Sequence, residues 1–259
     1  MDFAVIERLC ILDGGVAEVE DGSIYSPGVN VGVPMTLSCN AYLVGHRGGW
    51  LLWDTGIADE LVSEPAGRII AHGIRGRLRR TLASQFAEIG VHPQDVGTLL
   101  LSHAHFDHVG NCRLFPGARW IAQRLEHEAM FGPDAAEYGY EPALYATMRD
   151  NPLTLVDGDH DVFGDGAIRL IFTPGHTPGH SSLLLRLPDS GPVLLSADVA
   201  HNRSNFAHRR VPVFNTDPAA SVASMDKVDR LLHEEGATLW VNHDSAQSET
   251  LPRAPRWIT

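Results

Sequence analysis

Hydrophobic and polar residues follow two periods along this chain, one typical of strands and one typical of helices. Residues 41–53 contain two apolar runs separated by the turn GHRGG, a pattern that predicts a β-hairpin. The apolar runs VGTLLLS, LIFTP, SSLLLRL, PVLLSAD and LWVNHD predict further strands. Strand-rich stretches with helices between them predict sheets covered by helices, in the α/β (α+β) class.

Two segments have helical spacing together with helix end signals. Residues 77–90 place apolar side chains on one face and finish on Gly90, which predicts one helix. The clearer helix follows Asp217, a typical N-cap, with Pro218 in its first turn and Gly236 at its end.

Length and composition indicate one domain over residues 1–259. The 259 residues are 44% hydrophobic, and no low-complexity or Pro/Gly/Ser-rich stretch suggests a linker. The N-terminal MDFAVIERLCIL lacks the basic region of a signal peptide, and no apolar run approaches the roughly 20 residues that cross a bilayer, so we expect a cytoplasmic protein. Cys10, Cys39 and Cys112 have no disulfide or zinc-site spacing, and we expect them to be buried apolar residues.

The net charge argues against two classes of partner. A formal charge of -12 creates a negative field that opposes nucleic acid or an anionic membrane as the main partner. The basic stretch RGRLRR fits a solvated helix face better than a phosphate site. Bound divalent cations would offset part of the acidic excess, so the composition is compatible with a metalloprotein.

The motif SHAHFDHVGN follows an apolar run and is the strongest chemical signal in the sequence. In an extended segment His103 and His105 point the same way, so both imidazoles can reach one ion at about 2.0–2.1 Å. Asp107 and His108 come after the chain turns and can serve a second ion. Burying these side chains together without a cation would leave several polar groups unsatisfied, so we expect a metal site.

Three more candidate ligands stand where an apolar strand stops. His176 follows LIFTP, Asp198 follows VLLSA and His243 follows LWVN. Strand ends at one edge of a sheet can converge on one point, so His176 would complete the first group while Asp198 and His243 serve the second ion. Ordinary surface or core positions are expected for the other histidines outside these motifs: His46, His72, His92, His127, His160, His208 and His233.

The ordered motifs resemble those of the metallo-β-lactamase superfamily. HAHFDH is similar to its HxHxDH signature, and DTG at 54–56, TPGHTPGH at 173–180, SAD at 196–198 and NHD at 242–244 follow in the family's order. The resemblance implies one αββα sandwich, with the metal site at one edge between the two sheets.

The same resemblance implies a role for each matched residue. One metal would be held by His103, His105 and His176, and the other by Asp107, His108 and His243. Asp198 matches the carboxylate that bridges the metals. Asp54 and His180 match residues that contact the ligands and orient them.

Within the superfamily, the chain is most similar to the quorum-quenching N-acyl-homoserine lactonases. The likeness includes CILDGG, VLLSADVAHN and the helix before NHD. It implies a dinuclear hydrolase in which a hydroxide between two metal ions opens a lactone ring, with Asp107 carrying the proton to the leaving oxygen. Zinc is the expected metal, although manganese, iron and cobalt also accept these ligands.

One position departs from that branch. Those lactonases commonly have a tyrosine three residues after the bridging aspartate, where this chain has His201. A neutral imidazole keeps one N–H donor and could support the substrate carbonyl, so His201 is predicted to be catalytic. Alternatively, His201 points into solvent, or marks a different lactone or ester as substrate.

The segments between the motifs are the expected walls of a substrate pocket. Residues 56–80 and 127–152 are both candidates, and the second supplies the apolar side chains Met130, Phe131, Tyr138, Tyr140 and Tyr145. The same side chains would equally suit the core of a helical insertion or the contact of a homodimer.

Other functions remain open for this ligand set. Another lactone or ester hydrolase and a glyoxalase II-like thioesterase would use the same residues. An iron-binding redox protein and a metal-bound protein without catalysis are further alternatives, which metal content and visible absorbance would separate from a hydrolase.

Overall fold

The computed structural model describes residues 5–259, and all structural statements refer to that part of the chain. Its strands are β1 Ile6–Val19, β2 Met35–His46, β3 Gly49–Trp53, β4 Arg68–Ile69, β5 Arg75–Arg77, β6 Val96–Leu100, β7 Arg119–Gln123, β8 Leu153–Val156, β9 His160–Asp161, β10 Ile168–Phe172, β11 Ser181–Leu187, β12 Gly191–Leu195 and β13 Thr238–Trp240. Its α-helices are α1 Leu82–Ile89, α2 Phe106–Val109, α3 Arg124–Phe131, α4 Pro142–Tyr145, α5 Arg203–His208, α6 Pro218–Glu235 and α7 Ser245–Ser248.

The strands form two mixed sheets. The first has the order β4-β5-β1-β2-β3-β6-β7-β8, with antiparallel pairs around β1 and β2 and parallel pairs from β3 to β8. The second has the order β13-β12-β11-β10-β9, with β12 and β13 parallel. The predicted hairpin of residues 41–53 is confirmed as part of β2 and β3.

Side-chain alternation along the strands produces four layers. Leu183 and Leu185 of β11 face Leu9 and Val44 of the first sheet in a shared core between the sheets. Leu184 points the other way and packs with Val228 of α6. On the far face of the first sheet, helices α1 and α3 cover a separate core. The predicted αββα sandwich is therefore confirmed.

The two predicted helices are present, and their ends follow local capping chemistry. Asp217 accepts a hydrogen bond from the Ala220 amide, and Gly236 adopts the left-handed conformation after α6. Helix α1 begins at Leu82 rather than near residue 77, because Thr81 caps it through the Ser84 amide. Residues 75–77 instead form β5, which pairs with β1.

Strand β1 has 14 residues and was not among the predicted elements. It pairs with β2 over most of its length and with β5 at its end, so both of its faces are largely buried. A strand buried on both faces lacks the alternation of polar and apolar residues by which strands are recognised. No helix among residues 5–259 combines the length and the hydropathy needed to cross a bilayer.

Candidate metal centre

The predicted ligand motif follows β6 and turns sharply after His105. His105 has extended backbone angles and precedes α2, which carries Asp107 and His108. His103 and His105 are therefore on the extended part, as expected. The side chains of His103 and His108 are fully buried, so neither points into bulk solvent.

Three other strand ends deliver the remaining ligand candidates to the same place. His176 follows β10, Asp198 lies in a short 3₁₀ turn after β12, and His243 follows β13. The HAHFDH motif comes from the first sheet and these three residues come from the second. The site therefore lies at one edge of the sandwich, between the two sheets.

The first group of ligand atoms contains three histidines and one carboxylate oxygen. His105 Nδ1 lies 2.9 Å from His103 Nε2 and 2.9 Å from His176 Nε2. Asp198 Oδ2 lies 3.8 Å from His103 Nε2 and 3.4 Å from His176 Nε2. One atom from each of the four residues lies within 4.8 Å of the others, which is a spacing that one ion can fill.

A second group stands beside the first and uses the other oxygen of Asp198. Asp198 Oδ1 lies 3.2 Å from His108 Nε2 and 2.9 Å from His243 Nε2. Asp107 lies at the edge of this group and clusters with His243 and Cys39, with Oδ2 3.7 Å from His243 Nε2 and Oδ1 3.8 Å from His108 Nε2. Asp198 thus presents one oxygen to each group, as a bridging carboxylate must.

The chemistry of these atoms fits a pair of divalent cations. His108 Nε2 and Asp198 Oδ1 are buried and make no hydrogen bond with the described residues. A buried polar atom without a partner is costly, and a cation between these atoms would satisfy both. Imidazole nitrogens and carboxylate oxygens are the donor set that first-row divalent metals accept.

Burial keeps the histidines of the first group neutral, as ligands must be. Burial lowers the pKa of His103 and of His176 well below the usual value, and lowers that of His105 to about 4. Burial alone would raise the pKa of Asp198, yet the surrounding imidazoles of His243 and His108 hold it well below its ordinary range. The group therefore consists of neutral nitrogens around an ionised carboxylate.

Each imidazole is oriented by a hydrogen bond from its outer nitrogen. His108 Nδ1 lies 2.8 Å from Asp54 Oδ2, and the same carboxylate accepts from the Ser102 amide at 2.7 Å. His176 Nδ1 lies 2.8 Å from Asn215 Oδ1, and His243 Nδ1 lies 2.6 Å from the Ser38 carbonyl. These contacts fix which nitrogen faces the centre of the site.

His180 contacts the bridging residue through the backbone. Its Nε2 accepts a hydrogen bond from the Asp198 amide at 2.9 Å, while Nδ1 lies 2.9 Å from the Thr173 carbonyl. Burial lowers the pKa of His180 to about 4, so its neutral form provides one acceptor and one donor. The position of His180 is thus that of a residue that holds Asp198 in place.

Backbone geometry around the site includes two residues in the left-handed region. Asp54 has φ 59° and Ala197 has φ 45°, although neither is a glycine. Asp54 is held there by its bonds to Ser102 and His108. The following Gly56 approaches Gly14 so closely that a Cβ would lie 2.6 Å from the Gly14 Cα, which explains the glycines of DTG and CILDGG.

Glu126 of α3 joins the two ligand loops and was not foreseen. Its Oε1 accepts from the Ala104 amide at 3.1 Å and the Tyr140 hydroxyl at 2.5 Å, and its Oε2 accepts from the Thr177 hydroxyl at 2.8 Å and the Gly179 amide at 2.9 Å. Ala104 lies between two ligand histidines, and Thr177 follows the third. The sequence marks Glu126 only as one of many helix carboxylates, so no local signal identified it.

A narrow cavity of about 30 Å³ opens beside the two groups. Its walls include Asp107, Asp198 and His243 from the site itself, together with His201. The other lining residues are Ala17, Tyr25, Ala71, His72, Ile74, His105, Phe106, Gly139 and Phe214. Ala71, His72 and Ile74 of the predicted wall at residues 56–80 line this cavity.

The side chains predicted to form the second wall are elsewhere. Met130, Tyr140 and Tyr145 are buried in the core under α3, and Phe131 and Tyr138 pack against that core. The Tyr145 hydroxyl donates to the Met130 carbonyl, which closes this cluster on itself. The prediction that these five side chains line the substrate pocket is therefore wrong, and they form the core of a helical insertion instead.

Two residues that face the cavity, Tyr25 and Phe214, lie outside both predicted wall segments. Tyr25 follows β1, and Phe214 follows α5. His72, expected to be an ordinary surface residue, stacks on Phe214 with ring centroids 5.0 Å apart. None of the three stands in a motif or at a strand end, so only the folded arrangement brings them to the site.

The fold and the site define a family. Residues 35–247 match the model of the metallo-beta-lactamase superfamily, and the chain belongs to that superfamily. It is 33% identical to an N-acyl homoserine lactonase, AttM, of Azorhizobium caulinodans, over 83% of this chain and 84% of that protein.

Two further relatives extend the similarity over nearly the whole chain. The N-acyl homoserine lactonase AiiA of Bacillus thuringiensis subsp. kurstaki is 27% identical over 98% of this chain and 99% of that protein. A solved N-acyl homoserine lactone hydrolase, with the product N-hexanoyl-L-homoserine at its catalytic metal centre, superposes with a TM-score of 0.85 and 26% identity, covering 98% of this chain and 100% of that chain.

Proposed function

We propose that this protein is a metal-dependent hydrolase that opens the lactone ring of N-acyl-homoserine lactones. The observation that carries the proposal is the shared carboxylate: Asp198 presents one oxygen to each of two ligand groups. The arrangement stands in a fold that superposes on a hydrolase with an acyl-homoserine product at its metal centre. A quorum-quenching lactonase is therefore the function that the site supports best.

We propose zinc for both positions. His103, His105 and His176 would hold one ion, Asp107, His108 and His243 would hold the other, and Asp198 would contact both. Nitrogen-rich sites of low coordination number suit zinc, although manganese, iron and cobalt accept the same donors. When bound there, the cations supply polarisation of the ester carbonyl and make water acidic enough to provide a nucleophile near neutral pH.

Asp107 is the proposed proton carrier. It lines the cavity, and its Oδ2 accepts a hydrogen bond from the Cys39 thiol at 3.3 Å. That contact leaves Oδ1 free of hydrogen bonds with the described residues. A carboxylate in this place can take up the proton of the attacking water and release it to the ring oxygen as the ester bond breaks.

His201 is the second proposed catalytic residue. Its ring lines the cavity and stacks on His243, with Nε2 3.1 Å from Asp198 Oδ2. Burial lowers the pKa of His201, so the neutral imidazole carries one proton. With the proton on Nε2, His201 donates to Asp198. With the proton on Nδ1, which is buried and has no partner among the described residues, the imidazole has one unused donor for a substrate carbonyl.

Proton release by the zinc-reconstituted protein tests the substrate. The panel holds short- and long-chain N-acyl-homoserine lactones, simple γ- and δ-lactones, an S-acyl glutathione thioester, a phosphodiester and a β-lactam. We expect fastest opening of the acyl-homoserine lactones, no activity after chelation, and recovery on adding zinc. Turnover of only the thioester or another ester would contradict the substrate assignment, and a coloured iron protein without hydrolysis would contradict the hydrolase.

Location and assembly stay predictions. All three cysteines are buried and unpaired, which is compatible with a reducing compartment such as the cytoplasm. A homodimer is the oligomeric state that we propose to test by light scattering.

A further inference from the structure

Tyr25 stands directly over the site although it is far from every motif. It ends the 3₁₀ turn Gly22–Ile24, and only 3% of its surface is exposed. Its ring lies against His201, with centroids 4.7 Å apart, and meets the edge of Phe214 at 5.6 Å. Tyr25 lines the same cavity as Asp107 and Asp198, so the phenol belongs to the wall that a substrate would contact.

The hydroxyl of Tyr25 has no partner within the protein. Among residues 5–259, the hydrogen bonds of Tyr25 involve its backbone, and none involves its hydroxyl. The hydroxyl oxygen is not sealed off from solvent, and Tyr25 lines the cavity. An unpaired hydroxyl on the wall of a substrate cavity is therefore available to a ligand.

The hydroxyl keeps its proton and can only be used as a donor or a neutral acceptor. A tyrosine hydroxyl has an ordinary pKa of about 10, and burial raises the pKa of Tyr25 further. A neutral phenol next to a developing negative charge donates its hydrogen bond to that charge.

The backbone of Tyr25 is anchored to the segment that carries His201. The Tyr25 carbonyl accepts from Asn205 Nδ2 at 2.7 Å, and the neighbouring Ser26 hydroxyl donates to Asn205 Oδ1 at 2.7 Å. Asn205 belongs to α5, which begins two residues after His201. Tyr25 is thus fixed before substrate binds, which is the condition for a donor that stabilises a transition state.

We propose that the Tyr25 hydroxyl donates a hydrogen bond to the carbonyl oxygen of the substrate as water adds to the carbonyl carbon. The inference rests on the proposed hydrolase function and adds a donor that no sequence motif marks. Tyr25 has no competing partner, whereas His201 Nε2 lies 3.1 Å from Asp198 Oδ2 and His201 Nδ1 is buried.

Replacing Tyr25 with phenylalanine removes only the hydroxyl. In Tyr25→Phe we expect kcat to fall about 10²-fold, as for loss of one oxyanion donor, with KM changed less than about fivefold. Metal content and melting temperature should match those of the unchanged protein. Tyr145→Phe is the matched control, because it removes a buried hydroxyl that donates to the Met130 carbonyl away from the cavity.

A second measurement does not depend on turnover. An N-acyl-homoserine lactam, which keeps the ring carbonyl but resists hydrolysis, should bind Tyr25→Phe about fivefold more weakly by calorimetry. In protein with 3-fluorotyrosine at position 25, the fluorine resonance should move when the lactam binds. That probe retains the hydroxyl and so covers the case in which Tyr25→Phe loses metal or stability.

The outcomes separate this proposal from the proposed function. The Tyr25→Phe ratio is measured on whichever ester the unchanged protein opens, so a wrong substrate assignment leaves the test of Tyr25 intact. If kcat and lactam affinity are both unchanged in Tyr25→Phe, the hydroxyl does not contact the carbonyl and the proposal is wrong. A protein that opens no ester would contradict both proposals.

Discussion

Asp198 contacts both ligand groups through its carboxylate and contacts His180 through its amide. Its two oxygens lie 2.9 Å and 3.4 Å from imidazole nitrogens of different groups, and its amide is held by His180. Because the same carboxylate faces both groups, a small rotation of it would alter the distance between them. The contact with His180 restrains that rotation through the backbone rather than through the carboxylate itself.

Asp107→Asn tests the proposed proton carrier, because it replaces one carboxylate oxygen with an amide nitrogen. An amide has nearly the same shape but cannot take up a proton, so we expect kcat to fall by about 10²-fold or more, while the melting temperature of the loaded protein changes by only a few degrees. The exposed Asp134→Asn, whose side chain makes no capping bond, is the control. Near-normal turnover in Asp107→Asn would remove the proposed role.

His201→Phe tests the second proposed catalytic residue. If His201 supports the substrate carbonyl, turnover should fall about 10²-fold with unchanged metal content. The control is His208→Phe at the end of α5, where the side chain is exposed, and it should leave turnover unchanged. Loss of metal from His201→Phe would instead assign His201 to the orientation of Asp198.

At the residue scale, the ligand candidates could be predicted from the sequence, whereas most residues that line the cavity could not. His103, Asp198 and His243 could be predicted to converge because each stands at a strand end, and strand ends at one sheet edge lie together. Tyr25 and Phe214 have no such local marker, because their approach to the site depends on how β1 and α5 pack. For the same reason, the sequence pattern at 130–145 cannot distinguish the wall of a pocket from the core of a helical insertion.

Among the elements, helix α3 has the clearest connection to the site. Glu126 bonds the loop that carries His103 and His105 to the loop that carries His176, through four donors. All four partners are N–H or O–H groups, which is the environment of an ionised carboxylate, even though burial raises the pKa of Glu126. The helix thus fixes the spacing of the first ligand group without supplying a ligand.

Glu126→Gln is expected to weaken metal binding. The amide replaces one acceptor oxygen with a donor that would face an N–H or O–H group, so the two loops should separate and zinc affinity should fall about tenfold, as for other residues behind a ligand. Competition with a chromogenic chelator measures that affinity. Glu128→Gln, an exposed change in the same helix, should bind zinc normally; equal affinities in both variants would contradict the role of Glu126.

Element boundaries were predictable where local chemistry sets them. Helix α6 begins after Asp217 and ends at Gly236 as predicted, because both caps act on neighbouring backbone groups. Helix α1 was predicted too early, because residues 75–77 pair with β1 instead of entering the helix. Such pairing depends on a partner strand about 60 residues away, which a local pattern cannot reveal.

At the scale of the whole molecule, the ligands join the two sheets. The HAHFDH residues come from the end of β6 in the first sheet, whereas His176, Asp198 and His243 come from the second. The ends of the described chain are also tied together, since Leu9 and Ile258 exchange two backbone hydrogen bonds of 2.8 Å. Both features support the proposal that residues 1–259 form one domain.

Removing the metal should therefore weaken the sandwich as a unit. Ligand at a thousandfold excess over its Kd stabilises the folded state by about 4 kcal/mol, which corresponds to roughly 10 °C in melting temperature for a chain of this size. We expect calorimetry to show at least that decrease after chelation and its reversal on adding zinc. A melting temperature that does not respond to chelation would contradict metal binding across the sheets.

The left-handed backbone at Ala197 lowers the stability of the fold next to Asp198. A residue other than glycine at φ 45° costs the fold about 1 kcal/mol, and glycine would remove that cost. The same substitution would loosen the backbone immediately before Asp198. The strained alanine therefore restricts the backbone before Asp198, at a cost to the free energy of unfolding.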